Sequence, residues 1–139
     1  LELRSEEMEI INLRIQEKYK KIEESEVRFE EYMLDDAEYA IVAFGSAARI
    51  AKKSIEIARS QGIKVGLLRP ITLWPFPTKE VQKLGEKMKG ILSLEINAGQ
   101  MVEDIRLAVA GRVPVQHFGR LGGIIPDPDE VVDAIKRLF

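Results

Sequence analysis

Cysteine is missing from these 139 residues, and histidine occurs once. The first absence excludes disulfides and thiolate-held iron–sulfur clusters in this chain. The second, with no ligand-spaced cluster of carboxylates around it, argues against a metal site. No apolar run approaches the roughly 20 residues that a membrane-spanning helix needs. A basic-then-apolar leader with a small-residue cleavage site is also lacking, so secretion is not expected and a cytoplasmic location is. There is no dense Lys/Arg stripe either, which argues against a nucleic-acid partner.

What is present suits one ordinary globular domain. Hydrophobic residues make up 45% of the chain and charged ones 32%, enough for a real core at this length but not for two comfortable domains. The charge is unevenly spread. Through Asp36 there are 12 acids and 6 bases; the remainder holds 11 acids and 15 bases. An acidic arm therefore precedes a mildly basic body. Because the chain opens on Leu1 rather than methionine, a piece of a longer polypeptide is expected.

Residues 1–24 contain no glycine or proline and place Met8, Ile11, Ile15, Tyr19 and Ile22 at helical spacing. This predicts one long helix with a narrow apolar stripe. Such a stripe rarely holds a helix by itself, so the arm should dock on this domain or on a neighbour. Val27, Phe29 and Glu31 alternate with charged or polar residues, which predicts a short edge strand.

From Glu38 onward, apolar strands and amphipathic helices alternate. Strands are expected at Tyr39–Phe44, Ile63–Leu68, Ile91–Ile96 and Val113–Phe118. Between them, Ala47, Ile50, Ala51, Ile55 and Ala58 form one helical face, closed by Gly62 after the cap. Val81, Leu84 and Met88 form another, with Thr78 as the expected cap, and Met101, Val102, Ile105 and Val109 a third. Asp127-Pro128-Asp129-Glu130 is a strong helix start, with an acidic cap, proline in the first turn and glutamate at the third position. Val131, Ile135 and Leu138 should face inward. Strands apolar on both faces and alternating with such helices mean a mainly parallel sheet covered on both sides, a three-layer α/β/α domain.

In that fold each parallel strand empties onto the same edge, where ligands and partners gather. Gly45-Ser46, Arg69-Pro70, the run from Glu95 to Gly99, and His117-Phe118-Gly119-Arg120 all fall there. Gly45-Ser46 can hold an anion on free N–H groups or form a tight turn with a serine cap. A phosphate-binding loop would need more glycines than Gly-Ser-Ala-Ala-Arg supplies. Glu95 and Asn97 have the groups of an acid/base and an oxyanion donor. They equally suit structure, with Glu95 pairing to Arg69 and Asn97 capping the next helix. No nucleophile or second carboxylate accompanies them. His117 reads as hydrogen-bonded structure rather than a catalyst. Trp74 and Phe76 lie in a run stiffened by three prolines, and they either lid their own sheet or anchor a protein interface. Arg120 is a candidate for a salt bridge or an anion contact.

Taken together, Ala-Phe-Gly-Ser-Ala-Ala-Arg from Ala43, Leu-Arg-Pro-Ile-Thr-Leu-Trp-Pro-Phe-Pro from Leu68, Glu-Ile-Asn-Ala-Gly-Gln-Met-Val-Glu-Asp from Glu95 and Gly-Arg-Leu-Gly-Gly from Gly119 resemble the α subunit of the 2-oxoacid:ferredoxin oxidoreductases, in the group acting on 2-oxoglutarate and 2-oxoisovalerate. They match its transketolase C-terminal-like domain only. The resemblance implies five strands in order 1-3-2-4-5 with the first antiparallel. It also implies that residues 1–24 are the helical arm leading from a missing N-terminal domain and that 25–139 form the domain itself. The family's complete enzyme decarboxylates a 2-oxoacid on thiamine pyrophosphate with Mg²⁺. It passes electrons through 4Fe-4S clusters to ferredoxin and transfers the acyl group to coenzyme A. This chain lacks the Gly-Asp-Gly and asparagine that hold the metal, and it is expected to carry no cofactor and no catalytic residue. Its expected role is assembly with the β subunit, the small subunits, its own missing domain and further copies in a homo-oligomer. Gly45, Ser46, Arg69, Pro70, Trp74, Phe76, Glu95, Asn97, Gly99, Gln100, His117 and Arg120 would line the contact edge. A free-standing small-ligand or nucleotide-binding module is the alternative, and the matching domain of another thiamine enzyme a third reading.

Overall fold

A computed structural model describes residues 4–138; the first three residues of the arm lie outside it. The elements run α1 (Ser5–Ser25), β1 (Phe29–Tyr32), β2 (Tyr39–Ala43), α2 (Gly45–Ser60), β3 (Val65–Pro70), α3 (Thr78–Lys87), β4 (Gly90–Glu95), α4 (Met101–Val109), β5 (Val115–Gly119) and α5 (Pro128–Lys136). The strands form one sheet in the order β1-β3-β2-β4-β5. β1 pairs antiparallel with β3, and the remaining pairs are parallel. Order and direction are those implied by the resemblance.

Alternation along the central strands builds two cores. Ile41 and Ala43 of β2, with Leu67, Leu92 and Leu94, meet Ala47, Ala51 and Ile55 of α2 and Val131 and Ile135 of α5. Ala40 and Val42 point the other way, with Leu68 and Ile91, onto Val81 and Leu84 of α3 and Ile105 and Val109 of α4. Every residue of β4 is buried, as its continuous apolar run requires of a strand covered on both faces. Close packing leaves no spare room at Gly66 of β3: a Cβ there would stand 2.5 Å from the Met33 carbonyl oxygen and 2.7 Å from Leu34 Cδ2.

Three local expectations change. β1 is buried in the opposite phase, with Glu30 and Tyr32 half-covered and Phe29 and Glu31 outward; Tyr32 joins the α2/α5 core. The reason is tertiary, since β3 offers Glu30 an arginine and a lysine lies close by. Thr78 is the first helical residue of α3 rather than its cap; Pro77 occupies that position, without a side-chain hydrogen bond. Likewise Phe44, not Ser46, caps α2. The α5 start is as expected: Asp127 Oδ1 accepts from the Asp129 N–H at 2.9 Å, and the Asp127 N–H donates to Glu130 Oε2 at 3.0 Å. Helix α1 runs from Ser5 to Ser25 and buries none of its residues; the expectation for residues 1–3 falls outside the described residues.

Candidate functional site

Parallel pairing brings the ends of β2, β3, β4 and β5 to one edge, with Ala43 level with Leu94 and Glu95 level with Gly119. Glu95 sits at its centre with no solvent exposure. Its carboxylate accepts four hydrogen bonds: from Ser93 Oγ at 2.8 Å, and from the N–H groups of Gln100 at 3.1 Å, Met101 at 2.9 Å and Val102 at 3.0 Å. The last three are the orphan donors of the α4 N-terminus, so a side chain from the preceding strand caps this helix. Burial pushes the Glu95 carboxyl up, but the Met101 N–H, the Ser93 hydroxyl and the Gln100 and Val102 N–H groups outweigh it and hold it below its ordinary value of 4.5. A buried, fully hydrogen-bonded carboxylate that stays ionised is a poor proton carrier near neutrality.

The expected pairing of Glu95 with Arg69 does not occur. Arg69 is directly opposite Glu30 in the β1–β3 register and donates from Nη1 to Glu30 Oε2 at 2.9 Å. Lys52 Nζ holds the other Glu30 oxygen at 2.5 Å and lies 5.3 Å from the centre of the Tyr32 ring. Hydrogen bonds from Lys52 and then Arg69 hold the Glu30 carboxyl below its usual range. Asn97 does not cap α4 either. Its Oδ1 accepts the Gly99 N–H at 2.7 Å and closes a local turn.

His117 Nε2 is 3.9 Å from Glu95 Oε1, too long for a hydrogen bond, and is buried without another partner among the described residues. Gly119 sits so tightly beneath the Asn97 and Glu95 carbonyl oxygens that any Cβ would collide with them. The β4–α4 loop therefore lies directly on the end of β5. Arg120 donates to Glu130 Oε1 at 3.1 Å, which makes it a salt-bridge residue linking this edge to the α5 capping box.

The two aromatics of the proline-rich run separate. Phe76 packs against the α3/α4 core. Trp74 is 55% exposed and meets Tyr19 of α1 edge-on, with centroids 5.3 Å apart and planes at 74°. A cleft of about 700 Å³ opens between the end of α1 and this loop, lined by Lys20, Glu23, Phe29, Trp74 and Phe76 among others. Thr72 ties the loop down: its Oγ1 accepts from the Arg28 N–H at 3.0 Å and donates to the Pro75 carbonyl at 2.8 Å.

Gly45, Ser46, Pro70, Gly99 and Gln100 lie at the same edge, so it gathers the expected residues, while Trp74 faces the arm. Sequence reasoning missed Ser93 and Glu30, and it placed Tyr19 on the docking stripe of the arm without naming Trp74 as its partner. Ser93 was accessible to it, as the one hydroxyl in an apolar strand, two residues before Glu95 and hence on the same face. Among the described residues no group of three or more His, Asp or Glu side chains could hold a metal ion, and no helix is long and apolar enough to cross a membrane. The residues present do not fit the cofactors implied by the resemblance. Iron–sulfur clusters lack thiolates in this chain, and Glu95 already takes the free N–H groups at the start of α4 that could otherwise hold an anion.

Residues 37–131 match the family model described as pyruvate:ferredoxin oxidoreductase core domain II. The chain belongs to this family. It is 45% identical over 133 residues to the ketoisovalerate oxidoreductase subunit VorB of Methanothermobacter thermautotrophicus, covering 96% of this chain and 38% of the relative. The structure superposes on the 2-oxoglutarate:ferredoxin oxidoreductase of Magnetococcus marinus with a TM-score of 0.81 at 20% identity, covering 99% of this chain and 24% of that one. A split-gene transketolase, solved as an inactive beta4 tetramer, matches at a TM-score of 0.67 and 16% identity, over 78% of this chain and 41% of its own. The fold is thus shared with transketolase, and this chain spans well under half the length of these relatives.

Proposed function

We propose that this chain is the transketolase C-terminal-like domain of the α subunit of a 2-oxoacid:ferredoxin oxidoreductase, with residues 25–139 as the domain and 1–24 as the arm that joins it to the rest of the subunit. The complete enzyme would convert a 2-oxoacid to an acyl-coenzyme A and pass electrons to ferredoxin. Thiamine pyrophosphate, Mg²⁺ and iron–sulfur clusters would be held elsewhere in the complex. The role of this domain is support, and its strand-end edge is a contact surface for other domains and for the β subunit. The observation carrying this reading is the state of Glu95: its carboxylate takes three N–H groups of the α4 N-terminus and the Ser93 hydroxyl, so the edge has structure where a catalyst or anion site would need free groups. The 45% identity to a ketoisovalerate oxidoreductase subunit supports the assignment.

Two measurements test it. Thermal unfolding of the 139-residue chain with thiamine pyrophosphate, coenzyme A and a nucleotide panel should show no shift. A ligand at 100-fold over its Kd would add about 2.7 kcal/mol, so a rise of several degrees with any nucleotide would replace this reading by the small-ligand module. In the complete complex, Gln100→Arg keeps the backbone N–H on Glu95 while projecting a bulky cation from the edge. It should abolish co-purification with the β subunit, and unchanged binding removes that loop from the interface.

A further inference from the structure

Helix α1 has 21 residues and none is buried. In its N-terminal half Met8, Ile11 and Ile15 occupy one side, while Ile10 and Leu13, turned by about 100° or more from them at helical spacing, occupy another; all five are exposed. A helix apolar on more than one side belongs in an interior, and one of this length draws most of its stability from packing. Its ring contact with the body is the Tyr19–Trp74 pair near the other end. Ile71, Leu73 and Trp74 are exposed on the loop it touches.

We propose that in the complete subunit the Met8–Ile15 half of α1 is enclosed on at least two sides by apolar side chains from the same polypeptide outside these 139 residues, with Trp74 bracing the other end of the helix. The proposal rests on the reading of the chain as one domain of a longer subunit. Two findings choose this occupant. The match to the ketoisovalerate oxidoreductase subunit spans 96% of this chain, so it includes the arm, yet only 38% of the relative. The arm is therefore shared by a polypeptide that has most of its length available to cover it. The alignment with the solved 2-oxoglutarate:ferredoxin oxidoreductase covers 99% of this chain and 24% of that one, so it too takes in the arm, within a chain about four times as long.

Two methionines allow a direct test. Met8 is 42% exposed and Met33, at the opposite edge of the sheet, 45%, so without a cover they should oxidise at similar rates. The full-length subunit, assembled with its partners, is treated with hydrogen peroxide and each methionine followed by peptide mass spectrometry, normalised to its rate in urea. Met8 should oxidise about tenfold more slowly than Met33, the ratio expected of a helix closed by tertiary packing. Equal rates overturn the proposal, and so does protection of Met8 that disappears on dilution, which assigns the cover to a second copy. Oxidoreductase activity is assayed on the same preparation. An active complex with Met8 open sinks the arm inference alone; an inactive one with Met8 closed sinks the enzymatic reading alone.

Discussion

Replacing Glu95 by glutamine separates charge and acceptor count from shape. The carboxylate takes one hydroxyl and three backbone N–H donors. Glutamine keeps one oxygen, able to hold two of the three backbone donors, and its NH₂ can donate to the Ser93 hydroxyl but not pair with a backbone N–H. One backbone N–H is then buried without a partner, and the bonds that remain lose the charge of the carboxylate. At about 1–3 kcal/mol for an unsatisfied buried group, and about 1 kcal/mol for bonds no longer assisted by charge, the expected loss is about 3 kcal/mol. For a chain of this size that lowers the thermal midpoint by roughly 10 °C. Calorimetry at pH 7 measures it. The pH dependence has a definite sign. Because the folded carboxyl titrates below 4.5, its contribution is fully present above that value and is lost as the pH falls through the folded pKa, where the unfolded chain already binds the proton. The difference between wild type and Glu95→Gln should therefore be constant above about pH 5.5, roughly one unit over the ordinary value, and should shrink on acidification below 4.5. A midpoint within about 2 °C of wild type, or a gap that widens in acid, would refute this account of the site.

Other perturbations test the frame around it. Gly66→Ala places a Cβ 2.5 Å from a backbone oxygen, which cannot yield as a side chain can, so urea denaturation should show a loss of about 2 kcal/mol. Asp127→Ala removes the α5 capping box and should cost about 1 kcal/mol, with Asp127→Asn recovering most of it.

How far the sequence reached depended on how local each interaction is. The α5 capping box lies within four consecutive residues and needs no knowledge of the rest of the chain, so it is readable directly. The alternating strands and helices are equally legible, because a strand covered on both faces must be apolar throughout and a covering helix repeats every 3.6 residues. Strand order came from resemblance, not from periodicity. What only the tertiary structure decided is which polar groups meet. Arg69 and Glu95 end strands separated by β2, two strand spacings of about 4.8 Å each, and that distance denies them the pairing their charges suggest. Arg69 instead lies across the ladder from Glu30, which turns β1 over relative to its apolar pattern. Glu95, deprived of a cation, meets the backbone donors of the helix that follows it. Hydrophobic period is a property of one segment and can be read along the chain; the partner of a charge is set by the neighbours that folding supplies.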